Sequence, residues 1–224
     1  MKKLIFSLLL LGSLPIAMLM AQQPAPGAQS RLLFDDDGGA VQVVPANLAT
    51  GDNATFHGGA VMKSVQQVSI FLGSGWGDSS IRARESGLSN LASGTPGMQG
   101  VFSAHNISLL NAGPIQEDFS DLSRASLNDL TIQQKLADML QSKAIPAPHA
   151  STVYVVFLGP GINSSLGGHK PGTDYAAYHN YFHLKAGEIR YVVVPFAANI
   201  DDQRAAAARA LADAALNPNG NGWY

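Results

Sequence analysis

STVYVVFLG, residues 151–159, is the stretch on which the fold turns. A strand with one wet face alternates apolar and polar residues. A near-continuous apolar run of this length belongs instead to a strand buried on both faces, as in sheets sandwiched by helices. Upstream, DLTIQQKLADMLQSKAIP (129–146) places Ile132, Leu136, Met139 and Leu140 at helical spacing, with Pro146 as the stop. Downstream, YHNYFHL (178–184) and EIRYVVVPF (188–196) flank Lys185-Ala186-Gly187, a short connection suited to a hairpin. VQQVSIFLG (65–73) reads as a strand and GVFSAHNISLLN (100–111) as a second strand candidate.

The last 25 residues, IDDQRAAAARALADAALNPNGNGWY, predict a helix of about four turns. Asp201 and Asp202 complement its N-terminus, alanine dominates its body and Pro218 marks its end. Strands and helices interleave, which predicts a single α/β domain with a mixed sheet and flanking helices.

Residues 1–21 read as a signal peptide: Lys2 and Lys3 precede an apolar core, and Ala21 offers a small residue for cleavage. Gly12, Ser13 and Pro15 interrupt that core and no basic flank follows, which favours cleavage over a membrane anchor. Residues 22–55, with QQPAPGAQS and PANLATGDN, read as a mobile linker or extension in which AVQVV (40–44) is a candidate short strand. DDDGG (35–39) resembles half a calcium loop, but it lacks the alternating ligands and distal Glu and reads as a solvated acidic turn. Residues 56–224 form the predicted domain.

The formal charge of −2 becomes −4 without Lys2 and Lys3, and no basic cluster remains, which argues against nucleic acid or anionic membrane as partner. The chain has no cysteine, so disulfides, thiolate catalysis, Cys-ligated zinc and iron–sulfur clusters are excluded. The short signal and the absence of cysteine fit a bacterial exported protein.

GSGWG (73–77) lacks the Lys-Ser/Thr of a phosphate loop and reads as a flexible loop carrying one aromatic residue. Neither it nor GPGINSSLGG supplies a nucleophile elbow. His179 and His183 have the H-x-x-x-H spacing of zinc proteases, but Asn180 stands where a basic Glu would be. The surrounding residues are strand-like, and i and i+4 share a face of a strand as well as of a helix. Two readings therefore stand: structural histidines, or a zinc pair completed by His169, Asp174 or Asp201. His57 and His105 have no partner nearby in sequence and read as structural.

Three segments, FHGGAVMKSVQQVSIFLG (56–73), VYVVFLGPGINSSLGGHKPGTDYAAYHNYFHLKAGEIRYVVVPF (153–196) and IDDQRAAAARALADAALNPNGNGWY (200–224), together resemble the exordium / phosphate-induced protein family. Phe56-His57-Gly58-Gly59 fits the family's opening, and Ala-Ala-Tyr178-His179 fits its Cys-Gly-Tyr-His-like motif. Asp201 matches the Asp that opens the last helix. The family's His-Glu falls on Arg209 and Ala210, and a later acidic position on Asp213. Thr-Asp-Pro becomes Leu216-Asn217-Pro218, and Asn221 to Tyr224 keep the Asn-x-Trp-Tyr end. The family's cysteine pair is missing, and family members continue past the Trp-Tyr, so an edge element is expected to be absent here.

The resemblance implies a secreted or periplasmic protein with an extracellular or envelope ligand that it does not name. With the His-Glu pair replaced, it implies a non-catalytic binding or scaffolding domain without a cofactor. The alternative is a divergent zinc-dependent hydrolase using His179 and His183, with His57 and Asp201 as further candidate ligands. A third reading is a decayed paralogue without retained activity.

Overall fold

A computed structural model describes residues 31–34, 40–46, 56–91, 95, 97–110 and 125–222. The signal segment, the DDDGG turn, Trp223 and Tyr224 lie outside the described residues. Nine strands are described: β1 (Arg31–Phe34), β2 (Ala40–Pro45), β3 (Ser64–Leu72), β4 (Ser108–Leu110), β5 (Ala125–Asn128), β6 (Thr152–Leu158), β7 (Ile162–Ser165), β8 (Tyr175–Leu184) and β9 (Gly187–Val194). The helices are α1 (Ser79–Arg82), α2 (Glu85–Leu88), α3 (Met98–Ala104), α4 (Asp129–Gln141) and α5 (Ile200–Leu216).

Seven strands form one sheet in the order β1-β2-β8-β9-β6-β3-β4, and β5 and β7 form a small parallel pair. The sheet is mixed, as the sequence predicts: β9, β6, β3 and β4 run parallel, whereas β8 is antiparallel to both β2 and β9. Every residue of β6 is buried. Val153, Val155 and Phe157 pack with the alanines of α5, and Tyr154, Val156 and Leu158 pack with Ile132, Leu136 and Met139 of α4. The period-2 alternation of a strand thus serves two cores, which is why residues 152–158 show no polar alternation. Asn199 caps α5 by accepting from the Asp201 amide, and Asn128 caps α4 by accepting from Thr131.

Three expectations need correction. Residues 22–55 are not simply a linker: β2 is an interior strand between β1 and β8, with Val41, Val43 and Val44 buried. The domain therefore reaches back to Arg31. Residues 100–111 are not one strand but most of helix α3 followed by β4. Met98 and Phe102, four apart, bury one helix face, and Asn106 at φ 56° turns the chain into β4. GSGWG is not an unanchored loop: Trp76 is fully buried and donates from Nε1 to the Phe157 carbonyl at 3.2 Å.

The C-terminal end of α5 and the turn after it fold back on residues 57–62. His57 N donates to the Gly222 carbonyl at 2.9 Å, and Met62 N donates to Ala215 at 2.8 Å. A Cβ on Gly59 would lie 1.9 Å from the Asn221 carbonyl oxygen, so only glycine fits there. Among the described residues no helix is long and apolar enough to cross a membrane.

Candidate functional site

β8 carries the histidines. His179 pairs in register with Gln42 and Val192 and points to the α5 side of the sheet, where it is 4% exposed. Burial pushes its pKa down to about 3, so the ring is neutral, and its Nε2 is buried without a hydrogen-bond partner. Beside it is a cavity of about 350 Å³, lined by Gln42, His179, Tyr181 and Pro218-Asn219-Gly220 among others. Asn217, fully buried, builds this end of the molecule: Nδ2 donates to Gln42 Oε1 at 2.9 Å, and Oδ1 accepts from the Gly222 amide.

His183 stands near the hairpin end of the same strand, with its side chain 69% exposed. Its Nε2 lies 3.5 Å from Glu188 Oε2, which accepts from Asn219 Nδ2 at 3.3 Å, while Glu188 Oε1 pairs with Arg190 at 2.6 Å. A strand rises ~3.3 Å per residue, so positions four apart are about 13 Å apart. Zinc holds each imidazole nitrogen at about 2.0–2.1 Å. His179 and His183 share a face but cannot share an ion. Of the two readings of H-x-x-x-H, the zinc pair does not fit this spacing, which a helix would have shortened to one turn.

The other candidates are dispersed. His57 reaches the C-terminal turn through its backbone, with its ring exposed. Asp201 lies at the opposite end of α5, largely exposed and paired with Arg204 at 3.0 Å. His169 Nδ1 is 3.7 Å from Asp174 Oδ2 in the loop before β8. Among the described residues no group of three His, Asp or Glu side chains converges as metal ligands would.

On α5, Arg209 is half-buried and Ala210 packs into the core. Asp213 Oδ2 is buried without a partner, and burial pushes its pKa up to about 7 against the pull of Arg209. This sets Asp213 against His179. The unfolded chain protonates His179 below its ordinary 6.5, which the folded state resists until about 3. That contribution is full above 6.5 and lost as pH falls. Folded Asp213 keeps its proton to about 7, whereas the unfolded chain sheds it near 3.8. Its contribution is full below 3.8 and lost as pH rises. Between 3.8 and 6.5 the two slopes oppose. Asp213→Asn is therefore expected to make stability climb with pH across that window, relative to the parent, by up to about 1.4 kcal/mol per pH unit. Urea unfolding across that window checks this, and equal slopes in both proteins would refute it.

A larger cavity, about 530 Å³, opens at the other end of α5. It sits past the C-terminal ends of β6 and β9 and at the N-terminal end of the helix, where open α/β sheets place ligands. Ile162, Asn163, Phe196, Asp202 and Gln203 contribute to its walls, and Pro171-Gly172 of the loop carrying His169 and Asp174 closes one side. Gln203 is 1% exposed. Its Nε2 donates to the Pro195 carbonyl at 3.3 Å, and its Oε1 has no partner.

The segment between β9 and α5 is pinned from below. Arg84 donates from Nη1 to Ala197 and from Nη2 to Ala198, both at 2.8 Å, and its guanidinium carbon is 5.0 Å from the Phe196 ring centre. Trp76 meets Phe196 edge-on at 6.4 Å. None of Arg84, Phe196 or Gln203 was among the residues expected from sequence. The available signal was positional: PFAAN (195–199) is a strand-to-helix junction of an α/β sheet.

No protein-family model matches the chain, and neither a curated protein nor a solved structure matches it.

Proposed function

We propose that the chain is an exported, non-catalytic binding domain that takes a small molecule in the cleft at the N-terminal end of α5. The observation that carries this reading is Gln203, a wall residue of a 530 Å³ cleft whose buried Oε1 has no partner. A buried carbonyl without a partner costs about 1–3 kcal/mol, a cost that a ligand donor removes. Export is supported by the Lys2/Lys3-led apolar segment, and the family resemblance points to an extracellular or envelope setting. The hydrolase alternative needs two imidazoles within reach of one ion, and about 13 Å of strand stands between them.

Amide shifts in a fragment screen by NMR test the proposal. Shifts are expected to gather at residues 161–163 and 197–203 and to vanish in Ala197→Trp, which fills the rim of the cleft. Shifts gathering around His179 and the 217–222 turn instead would defeat it. Stoichiometric zinc, lost when both His179 and His183 become Ala, would restore the hydrolase.

A further inference from the structure

The donor and acceptor pattern of the cleft says what kind of molecule it takes, given that the cleft is the binding site. Gln203 has one possible orientation. The Pro195 carbonyl only accepts, so the amide nitrogen must face it, and the carbonyl oxygen is the atom left over. The unsatisfied polar atom of this wall residue is therefore an acceptor. Asp202, exposed in the lining, supplies a second acceptor, and Asn163, also in the lining, can both donate and accept. The ligand must bring at least two donors.

The N-terminal end of α5 favours an anion, but Asp201 and Asp202 in its first turn and the Gln203 carbonyl oppose one with negative charge density. Ammonium ions would satisfy the acceptors, and an aromatic ring would normally welcome one. Here the Phe196 ring already carries the Arg84 guanidinium 5.0 Å from its centre. A second cation on that ring would meet the repulsion of the first. A neutral molecule avoids both penalties. Its C–H groups can lie on the electron-rich face of Phe196 while its hydroxyls reach Gln203, Asp202 and Asn163.

We infer that the cleft binds a neutral polyhydroxylated ligand, a monosaccharide unit or cyclic polyol, with Gln203 Oε1 accepting a hydroxyl at its wall and Phe196 as its apolar platform. Arg84 is a positioning residue: it holds Ala197, Ala198 and the Phe196 ring in place from outside the cleft.

The test titrates the labelled protein with glucose, galactose, N-acetylglucosamine and myo-inositol, and in parallel with choline and inorganic phosphate. At least one of the neutral probes is expected to shift residues 197–203 to saturation. Gln203→Leu is expected to weaken that binding about tenfold through the lost acceptor. Asp202→Asn keeps an acceptor, so sugar affinity should stay within about threefold, whereas an ammonium ligand held by charge would lose about tenfold or more. Should Gln203→Leu fail to fold, Asn163→Ala, at an exposed position, is expected to weaken sugar binding in its place. Saturating shifts of the cleft by choline or phosphate but by none of the neutral probes would overturn the inference and leave the cleft as the site. Shifts from every probe that avoid the cleft would overturn both.

Discussion

Asp129→Ala is expected to lower the free energy of unfolding by about 3–5 kcal/mol. Asp129 opens α4 and is 0% exposed. One oxygen, Oδ2, accepts three bonds: from Tyr191 Oη at 2.6 Å, Gln133 Nε2 at 2.8 Å and Asn180 Nδ2 at 3.0 Å. The carboxyl group thus ties α4 to both strands of the β8–β9 hairpin. The phenols of Tyr191 and Tyr178 are pushed well above their ordinary pKa, first by burial and then by this carboxyl group. They stay protonated, and Tyr191 serves as a donor to it. Truncation removes the acceptor of the buried Tyr191 hydroxyl and of the part-buried Asn180 amide, at roughly 1–3 kcal/mol each, while Gln133 Nε2 keeps Tyr191 Oη at 3.0 Å as a second acceptor. The carboxyl group at the first turn of α4 also favours the helix dipole, a smaller effect of about 0.3–1 kcal/mol. Asp129→Asn keeps one acceptor oxygen and should fall between alanine and the parent. Urea unfolding of the three proteins decides the matter. A loss below about 1 kcal/mol in Asp129→Ala would mean that water substitutes for the carboxyl group, and the hairpin would not depend on it.

What was legible in the sequence was what a local pattern determines. The unbroken run at 152–158, the hairpin at 185–187 and the alanine helix at 200–216 depend on period, turn chemistry and propensity within a few residues, although the cap of that helix is Asn199 and not Asp201 or Asp202. β2 was harder. AVQVV is short and sits among linker-like residues, and it becomes an interior strand only because β8, more than 130 residues later, offers it an edge. GVFSAHNISLLN carries strand-forming residues, yet Met98 and Phe102 gain more by packing on one side of a helix. The candidate site was legible only as a list. H-x-x-x-H spacing was visible in the sequence, but whether it means one helical turn or four strand steps depends on the backbone that surrounds it. Gln203 was invisible for a related reason. A glutamine in a helix N-terminal turn is unremarkable until the Pro195 carbonyl claims its nitrogen and leaves its oxygen alone.

Trp76→Ala is the second large effect, at about 3–5 kcal/mol of stability. The indole is fully buried, edge-on to Phe71 at 4.8 Å, with Nε1 donating to Phe157. Gly159 gives it room: a Cβ there would lie 3.0 Å from the indole Cδ1. Truncation leaves a cavity at the C-terminal ends of β3 and β6, and the Phe157 carbonyl loses its indole donor. The surrounding strands cannot close on that space, because their register is held by the continuous parallel ladder from Gln66–Thr152 to Leu72–Leu158. The damage should also reach the cleft, since Trp76 supports the ring of Phe196 from its edge. Trp76→Phe restores most of the volume but not the donor, so it should recover more than half of the stability and leave a deficit of about 1 kcal/mol from the hydrogen bond. Unfolding followed by circular dichroism measures both variants. If alanine at this position cost less than about 1 kcal/mol, residues 73–77 would be the solvated loop that GSGWG suggests when read alone, and the floor beneath Phe196 would have to be built by Arg84 without help.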